Sequence, residues 1–165
     1  MSTPAPQRGE VLYAALIPLD QDSALLPNAA LLDVLPMALL APLAEAAQRP
    51  DLRGLAGWVT YRGHRLPVLQ LEALLGHDRA PPGLRGRLVV LQGVSSPEAR
   101  VVLVAQSAPR RVTLSQQVLT ADALAVDVGG VIAQRCRIAR QPVAIPDLAV
   151  LEREAAALAA RATGA

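Results

Sequence analysis

The sequence predicts a mainly β domain that ends in one helix, and three observations lead to this fold class. Apolar segments are mostly short and are separated by clusters of Pro, Gly, Asp and Ser, a pattern typical of strands rather than of a helical bundle. Over half of the 165 residues are hydrophobic, which suffices to bury a sizeable core. Only the C-terminal segment carries apolar residues at intervals of three and four, as an amphipathic helix does.

The strands are predicted from the apolar segments in chain order. They are 11–17, 25–28, 55–62, 65–69, 88–94, 100–106, 110–114, 131–138 and 142–145. Between 29 and 48 the density of Ala and Leu favours helix, but Pro36 and Pro42 interrupt it, so we expect short helical turns with irregular links there. Residues 71–75 should form a helical turn that Gly76 ends in the left-handed conformation.

The expected domain organisation is simple. Residues 1–10 are predicted to be a flexible tail, 11–151 the folded domain, and 152–165 the end of the C-terminal helix and a tail. The segment 77–86, "HDRAPPGLRG", is the predicted boundary between two lobes. Asp147 is the predicted N-cap of the helix, whose apolar stripe consists of Leu148, Leu151, Ala155, Leu158 and Ala162.

Composition argues against several classes of function. The formal charge is +2, from 16 arginines against 14 acids, with no long run of one sign, so no general affinity for nucleic acid or anionic lipid is expected. Single-stranded nucleic acid binders need stacking aromatics, and this chain has three. No apolar signal core precedes the domain, and the longest apolar stretch, 29–47, contains prolines and acids. We expect a cytoplasmic protein without membrane insertion.

Catalytic and metal chemistry find little support in the sequence. His64, His77 and Cys136 show no metal-ligand spacing, and Cys136 lies in no nucleophile signature. No Gly-rich phosphate loop follows a strand. The sequence therefore predicts neither an enzyme nor a bound cofactor or metal.

The stretch "GWVTYRGHRLPVLQL", 57–71, is the candidate functional segment because it holds two of the three aromatics between arginines. Alternation in the first strand predicts that one face carries Leu55, Val59 and Tyr61, and the other Trp58, Thr60 and Arg62. A turn at Gly63-His64 would place Arg62 opposite Arg65, a mildly unfavourable like-charge pair. A turn at Arg62-Gly63 would shift that register.

Two interpretations of this hairpin remain open at this stage. Arg62 and Arg65 are either solvated arginines splayed apart at a hairpin end, or, with Trp58 and Thr60, part of a face that contacts a protein, because Trp and Arg are enriched anchors in interfaces.

The segment "GLAGWVTYRGHRLPVLQLEALLG", 54–76, resembles the signature of CheW-like domains. In that signature a Gly-Val-Ile-Asn-Leu-Arg-Gly strand leads through a turn into Pro-Val-Val-Asp-Leu and a Leu-Leu-Gly turn. The positions that match are Gly57, Val59, Arg62, Gly63, Pro67, Val68, Leu71 and Gly76. The resemblance continues over about 11–151, with Asp147 at the usual acidic position. The chain departs from the family at Thr60, Gln70 and 106–110, where the family has Asn or acids.

The resemblance implies a CheW-like fold of two small five-stranded β-barrel-like lobes around a shared core. It also implies a non-catalytic adaptor that joins the cytoplasmic tip of a methyl-accepting chemoreceptor to the regulatory domain of a CheA-type histidine kinase. Arg62 carries over as an interaction residue, with Thr60 and Gly63 beside it. The N-terminal segments Leu-Ile-Pro-Leu, 16–19, and Leu-Leu-Pro-Asn, 25–28, most resemble the ChpC or PilI type of type IV pilus systems, which act in twitching motility.

Two alternatives accompany this hypothesis. The missing acids at Gln70 and Gln106 are consistent with a degenerate scaffold that binds the kinase but no receptor. An unrelated β-barrel module that binds nucleic acid is the other alternative.

Overall fold

The computed structural model describes residues 10–78, 81–122 and 130–164. These residues form twelve strands: β1 Val11–Pro18, β2 Ser23–Pro27, β3 Leu31–Pro36, β4 Ala41–Pro42, β5 Leu55–Tyr61, β6 His64–Leu69, β7 Arg87–Gln92, β8 Arg100–Ala105, β9 Arg110–Ser115, β10 Leu119–Ala121, β11 Ile132–Ile138 and β12 Gln141–Pro146. They also form helices α1 Leu71–Leu74 and α2 Leu148–Thr163. The predicted mainly β fold with a C-terminal helix is confirmed.

The strands are divided between two sheets. One has the order β10-β11-β12-β2-β1-β9, and the other β3-β7-β8-β6-β5-β4. Most neighbours are antiparallel, while β12 with β2 and β6 with β8 are parallel pairs. Within the described residues each sheet has six strands where five were expected. Each also has a very short edge strand, β4 or β10.

Each sheet curls around an apolar cluster of its own. In the sheet of β3 to β8, the cluster includes side chains from strands that are far apart in the sheet order, such as Leu35 of β3 and Val59 of β5. The Tyr61 hydroxyl of β5 also donates to Asp33 Oδ2 of β3 at 3.3 Å. Contacts between such distant strands require strong curvature, so this sheet forms a barrel-like lobe.

A third cluster lies between the two sheets and is the largest. It combines the opposite sheet faces with the buried stripe of α2, formed by Leu151, Ala155 and Leu158. The Asp147 side chain accepts from the N–H groups of Ala149 and Val150 at 3.0 and 3.2 Å. The predicted N-cap and apolar stripe of the helix are therefore confirmed, and α2 packs over the seam between the lobes.

One expectation about the segment 29–48 needs correction. Residues 31–36 form strand β3 rather than part of a series of helical turns, because they alternate in exposure and pair with β7. The flanking segments do form 3₁₀ turns, at Asn28–Ala30, Met37–Leu39 and Ala44–Ala47. Long-range pairing decided the conformation at 31–36, where local propensity favoured helix.

The sheets do not divide at 77–86, the expected lobe boundary. Strands β7 and β8 follow that segment but belong to the same sheet as β3 to β6. The chain changes sheets after β2 and again after β8, where the Gln106 N–H donates to the Pro18 carbonyl at 2.9 Å. The buried residues Ala155 and Leu158 also place the helix beyond 151 within the folded core. Of the expected N-terminal tail, 1–9 lie outside the described residues.

Candidate protein-interaction site

The β5–β6 hairpin turns at Arg62 and Gly63. Both residues have positive φ, 49° for Arg62 and 80° for Gly63, and Tyr61 pairs with His64 across the turn. Positive φ at both central positions characterises the two-residue turn whose twist matches that of the flanking strands. The predicted turn at Gly63-His64 is therefore wrong, and so is the pairing of Arg62 with Arg65. Arg65 pairs with Thr60 instead.

A β-bulge in β5 changes which side chains share a face. The pairing with β6 shifts between Leu55 and Gly57, and one extra residue reverses the alternation beyond it. Leu55 and Trp58 consequently both contact the shared core, while Val59 and Tyr61 lie in the interior of the β3–β8 lobe. The prediction that Leu55 shares a face with Val59 and Tyr61 is wrong for this reason.

Trp58 lies at the end of the predicted contact face but is not presented to solvent. Its side chain is 8% exposed and belongs to the core between the sheets. Thr60 and Arg62, further along the strand, are exposed. The outward surface of the hairpin is thus polar and cationic, and Trp58 covers the seam between the lobes.

Two arginines of the hairpin lie over aromatic rings. The Arg65 Cζ is 4.2 Å from the centroid of Trp58, and the Arg62 Cζ is 5.3 Å from that of Tyr61. Such contacts orient a guanidinium while its N–H edge stays available for a carboxylate. In the part of the chain that the structure describes, neither Arg62 nor Arg65 forms an ion pair.

The hairpin forms one wall of a surface cleft of about 430 Å³. The opposite wall is the loop between β7 and β8, which contributes Glu98 and Arg100. The hairpin contributes Tyr61, Arg62, His64, Arg65 and Leu66. The structure therefore brings Arg62 and Arg65 together in one site, whereas Trp58 lies buried beneath Arg65.

Glu98 and Arg100 line the cleft but were not among the residues predicted from the sequence. They lie more than thirty positions from the turn in the chain, and no local motif marks them. They reach the hairpin because β6 and β8 are parallel neighbours, with Val68 opposite Val102. Only the sheet order could have identified them.

The β7–β8 loop is held in place by a dense set of hydrogen bonds. Arg100 Nη1 donates to the carbonyls of Pro97 and Ala99 at 2.7 and 2.8 Å, and to Gln92 Oε1 at 3.2 Å. The Gln92 amide in turn donates to carbonyls of Gly93, Ser96, Pro97 and Ala99 at 3.0 to 3.3 Å. This exposed loop therefore has a defined shape without a partner.

Helix α2 anchors the same loop through Glu152. Its Oε2 accepts from the N–H groups of Val94 and Ser95 at 2.8 and 3.2 Å, and its Oε1 from the Ser95 hydroxyl. The Ser95 hydroxyl and then the Val94 N–H lower the pKa of Glu152 below its ordinary value. The carboxylate stays ionised at neutral pH and connects the helix to the cleft wall.

The histidines and the cysteine do not converge. His64 and His77 are exposed, whereas Cys136 is buried in β11, where desolvation and then the Asp122 charge raise the thiol pKa. Among the described residues, no three His, Cys, Asp or Glu side chains are grouped as metal ligands. None of the described helices is both long and apolar enough to cross a bilayer.

Comparison with known proteins agrees with this architecture. The family model of the CheW-like domain matches residues 15–155. Among solved structures, the chain is similar to the crystal structure of scaffolding protein TtCheW from Thermoanaerobacter tengcongensis. That match has a TM-score of 0.68 and 12% identity, and it covers 86% of this chain and 92% of that one. No curated protein matches the sequence. Because the family model spans most of the sequence, including both lobes and the first turns of α2, the chain belongs to the CheW-like domain family.

Proposed function

We propose that this CheW-like protein is a non-catalytic cytoplasmic adaptor that couples a chemoreceptor to a CheA-type histidine kinase. The match of the CheW-like family model across 15–155 carries the proposal. The expected partners are the regulatory domain of the kinase and the cytoplasmic tip of a methyl-accepting receptor. TtCheW, which shares the fold, is itself described as a scaffolding protein.

The hairpin geometry supports Arg62, Gly63, Thr60 and Arg65 as interaction residues. The positive-φ turn presents Arg62 at the tip, where it is exposed and makes no ion pair within the described residues. Arg is enriched among residues that anchor protein contacts. Trp58 contributes indirectly in this proposal, because its ring supports Arg65 from below.

The two binding steps are tested separately by calorimetry. The kinase regulatory domain and a receptor tip fragment, both encoded in the same genome as this chain, are titrated one at a time into the purified protein. Saturable binding of both supports the adaptor. Binding of the kinase domain alone identifies the degenerate scaffold, and binding of neither contradicts the proposal.

The departure at Gln70 does not favour the degenerate scaffold. Gln70 is buried, and its backbone N–H donates to the Gly54 carbonyl at 3.0 Å. Gln70 occupies the position where the family signature has Asp, so this departure changes the interior near α1 rather than an exposed docking surface.

Nucleic acid binding is also disfavoured by the positions of the aromatics. Of the three aromatic residues, Trp58 and Tyr61 are buried and only Tyr13 exposes most of its ring, at 70%. A stacking platform requires several exposed rings along one groove.

The pathway that we propose is a type IV pilus chemosensory system, because the N-terminal segments 16–19 and 25–28 resemble the ChpC or PilI type. Deletion of the gene in the source organism should abolish twitching and leave flagellar swimming intact. Loss of swimming with normal twitching would contradict this assignment.

A further inference from the structure

Each lobe is followed in the chain by a helix that contacts the opposite lobe. Helix α1 follows β6 of the β3–β8 lobe, and α2 follows β12 of the other lobe, which consists of β1, β2 and β9 to β12. Helix α2 packs against β5, β6 and β8 of the β3–β8 lobe. In the other direction, Glu72 of α1 reaches the β1–β2 turn, where its Oε1 accepts from the Asp20 N–H at 3.1 Å. Both helices therefore cross the seam between the lobes.

The two helices hold equivalent loops. The β1–β2 turn and the β7–β8 loop each join two antiparallel strands, and the second strand of each pair lies parallel to the strand that precedes a helix, β12 or β6. Glu72 accepts from the N–H of the first loop, and Glu152 accepts from the Val94 and Ser95 N–H groups of the second. The same contact, a glutamate carboxyl group on the backbone of a hairpin loop, thus occurs in both directions.

These two contacts lie at opposite ends of the β3–β8 lobe. Strand β8 begins after the β7–β8 loop and ends beside the β1–β2 hairpin, where the Gln106 N–H donates to the Pro18 carbonyl at 2.9 Å. A strand of this length spans about 20 Å. The apolar core between the lobes favours burial without favouring one angle, because the hydrophobic effect is non-directional. Directional hydrogen bonds at two distant points can select a single orientation.

The surroundings of Glu72 indicate a positional role rather than a gain in stability. Its side chain is 3% exposed, and no described group donates to its Oε2. A buried acceptor without a hydrogen-bond partner costs free energy, so an apolar side chain of the same length would suit this place at least as well for stability alone. What Glu72 adds is the contact with Asp20.

We propose that Glu72 and Glu152 are positioning residues that together fix the orientation of the two lobes. The Glu72 contact is buried, whereas Glu152 is half-buried and Ser95 is exposed. The end of the seam at the β7–β8 loop is therefore the one that can be released without opening the core. The proposal does not rest on the adaptor function, because the orientation of the lobes is a property of the isolated chain.

The experiment measures the distance between the lobes by double electron–electron resonance in the full chain. Spin labels are placed at His64→Cys in β6 and Gln134→Cys in β11, two exposed strand positions in different lobes, in a Cys136→Ala background. Methionine matches glutamate in length and has no carboxyl acceptor. Glu72→Met and Glu152→Met should each shift or broaden the distance distribution by about 1–2 Å, as sliding of packed elements does. The double variant should show the largest change.

Two controls separate orientation from general loosening. A label pair within one lobe, Thr113→Cys with Gln134→Cys, should keep its wild-type distribution in every variant. Glu154→Met removes a carboxyl group from α2 that accepts no hydrogen bond within the described ranges, and it should leave the distance between the lobes unchanged. An equal change in either control would overturn the proposal.

A conservative variant and a second readout test the mechanism. Glu72→Gln retains an acceptor for the Asp20 N–H and should restore the wild-type distribution. Glu72→Met should instead lose protection of the Asp20 amide from hydrogen exchange, while its thermal midpoint stays equal to that of wild type or rises. A lowered midpoint with an unchanged distribution would show that Glu72 supports folding only.

The half-buried end keeps the proposal testable if Glu72→Met does not fold. Replacement of Glu152 leaves the buried stripe of α2 intact, so Glu152→Met should fold and should lose protection of the Val94 and Ser95 amides. An unchanged distance distribution in this variant would overturn the proposal. Partner binding enters none of these measurements, so their outcome is independent of the proposed function.

Discussion

Arg65 lies across the indole of Trp58, with its Cζ 4.2 Å from the ring centroid. This contact joins the exposed hairpin to the core between the lobes, because Trp58 is buried in that core. A cation over an aromatic ring contributes about 0.5–1 kcal/mol at a partly exposed site. The contact therefore positions Arg65 at the edge of the cleft at a small energetic gain.

Replacement of Arg65 by Ala should expose the edge of Trp58 to water. Trp58 is the single tryptophan of the chain, so its fluorescence reports this site alone. We expect a red shift of the emission maximum and a loss of no more than about 1 kcal/mol in the free energy of unfolding. Arg153→Ala, on the exposed face of α2, is the control. An unchanged emission spectrum for Arg65→Ala would show that Arg65 does not cover the ring in solution.

Replacement of Arg62 by Glu should weaken partner binding while changing stability by only about 0.5 kcal/mol, as surface substitutions usually do. Arg62→Asn is a sharper companion variant, because Asn tolerates the left-handed conformation that Arg62 adopts at φ 49°. It should retain or slightly raise the midpoint of thermal unfolding and still lose affinity. Intact binding by both variants would mean that Arg62 is not an interaction residue.

Gly57 should tolerate no side chain. Its φ is 154°, and a Cβ there would collide with the backbone of β4, at the Ala41 carbonyl oxygen and the Pro42 Cα. We expect Gly57→Ala to lower the free energy of unfolding by about 2 kcal/mol or more, since backbone atoms cannot move aside as a flexible side chain can. Gly63→Ala, where a Cβ meets nothing within 4 Å, should cost only about 1 kcal/mol of turn strain. Equal unfolding midpoints for the two variants in urea would contradict the close approach of β4.

The hydrogen bonds of the Glu152 carboxylate to Val94 and Ser95 predict a pH-dependent difference in stability between wild type and Glu152→Gln. Its folded-state pKa is lowered, so the stabilisation is fully present above the unfolded value of about 4.3. It is lost as pH falls through the lowered folded-state value. Glu152→Gln should therefore be less stable than wild type by about 1 kcal/mol at pH 7. The difference in thermal unfolding midpoint between wild type and Glu152→Gln should narrow below about pH 4. A difference that stays constant down to pH 3 would show that the ionised Glu152 carboxylate does not stabilise the loop.

Helix α2 should be essential for joining the lobes. Leu151 is fully buried between them, and truncation of a buried Leu to Ala costs about 2–5 kcal/mol. Leu151→Ala should lower the urea midpoint strongly. Ala156→Ser, an exposed position on the same helix, should change it little. A loss below 1 kcal/mol for Leu151→Ala would show that the helix is dispensable for the shared core.

Local patterns in the sequence were sufficient to predict most elements of the fold. Short apolar segments between clusters of Pro, Gly, Asp and Ser located nine of the twelve described strands but not β3, β4 or β10. The N-cap Asp147 and the spacing of Leu151 and Leu158 located α2, because these signals lie within a few residues of each other. The Arg-Gly pair likewise identified the candidate site. Arg62 and Arg65 were named from sequence and do line one cleft.

The tertiary structure alone decided the sheet membership of each strand, the register of the hairpin and the second wall of the cleft. A bulge of one residue in β5 placed Leu55 on the same face as Trp58, because side chains alternate with a period of two and any slip exchanges the faces. Trp58 is buried because that face of β5 packs in the core between the two lobes. Glu98 and Arg100 reached the hairpin through the pairing of β6 with β8. Such pairings join residues that are far apart in the chain, so no local pattern encodes them.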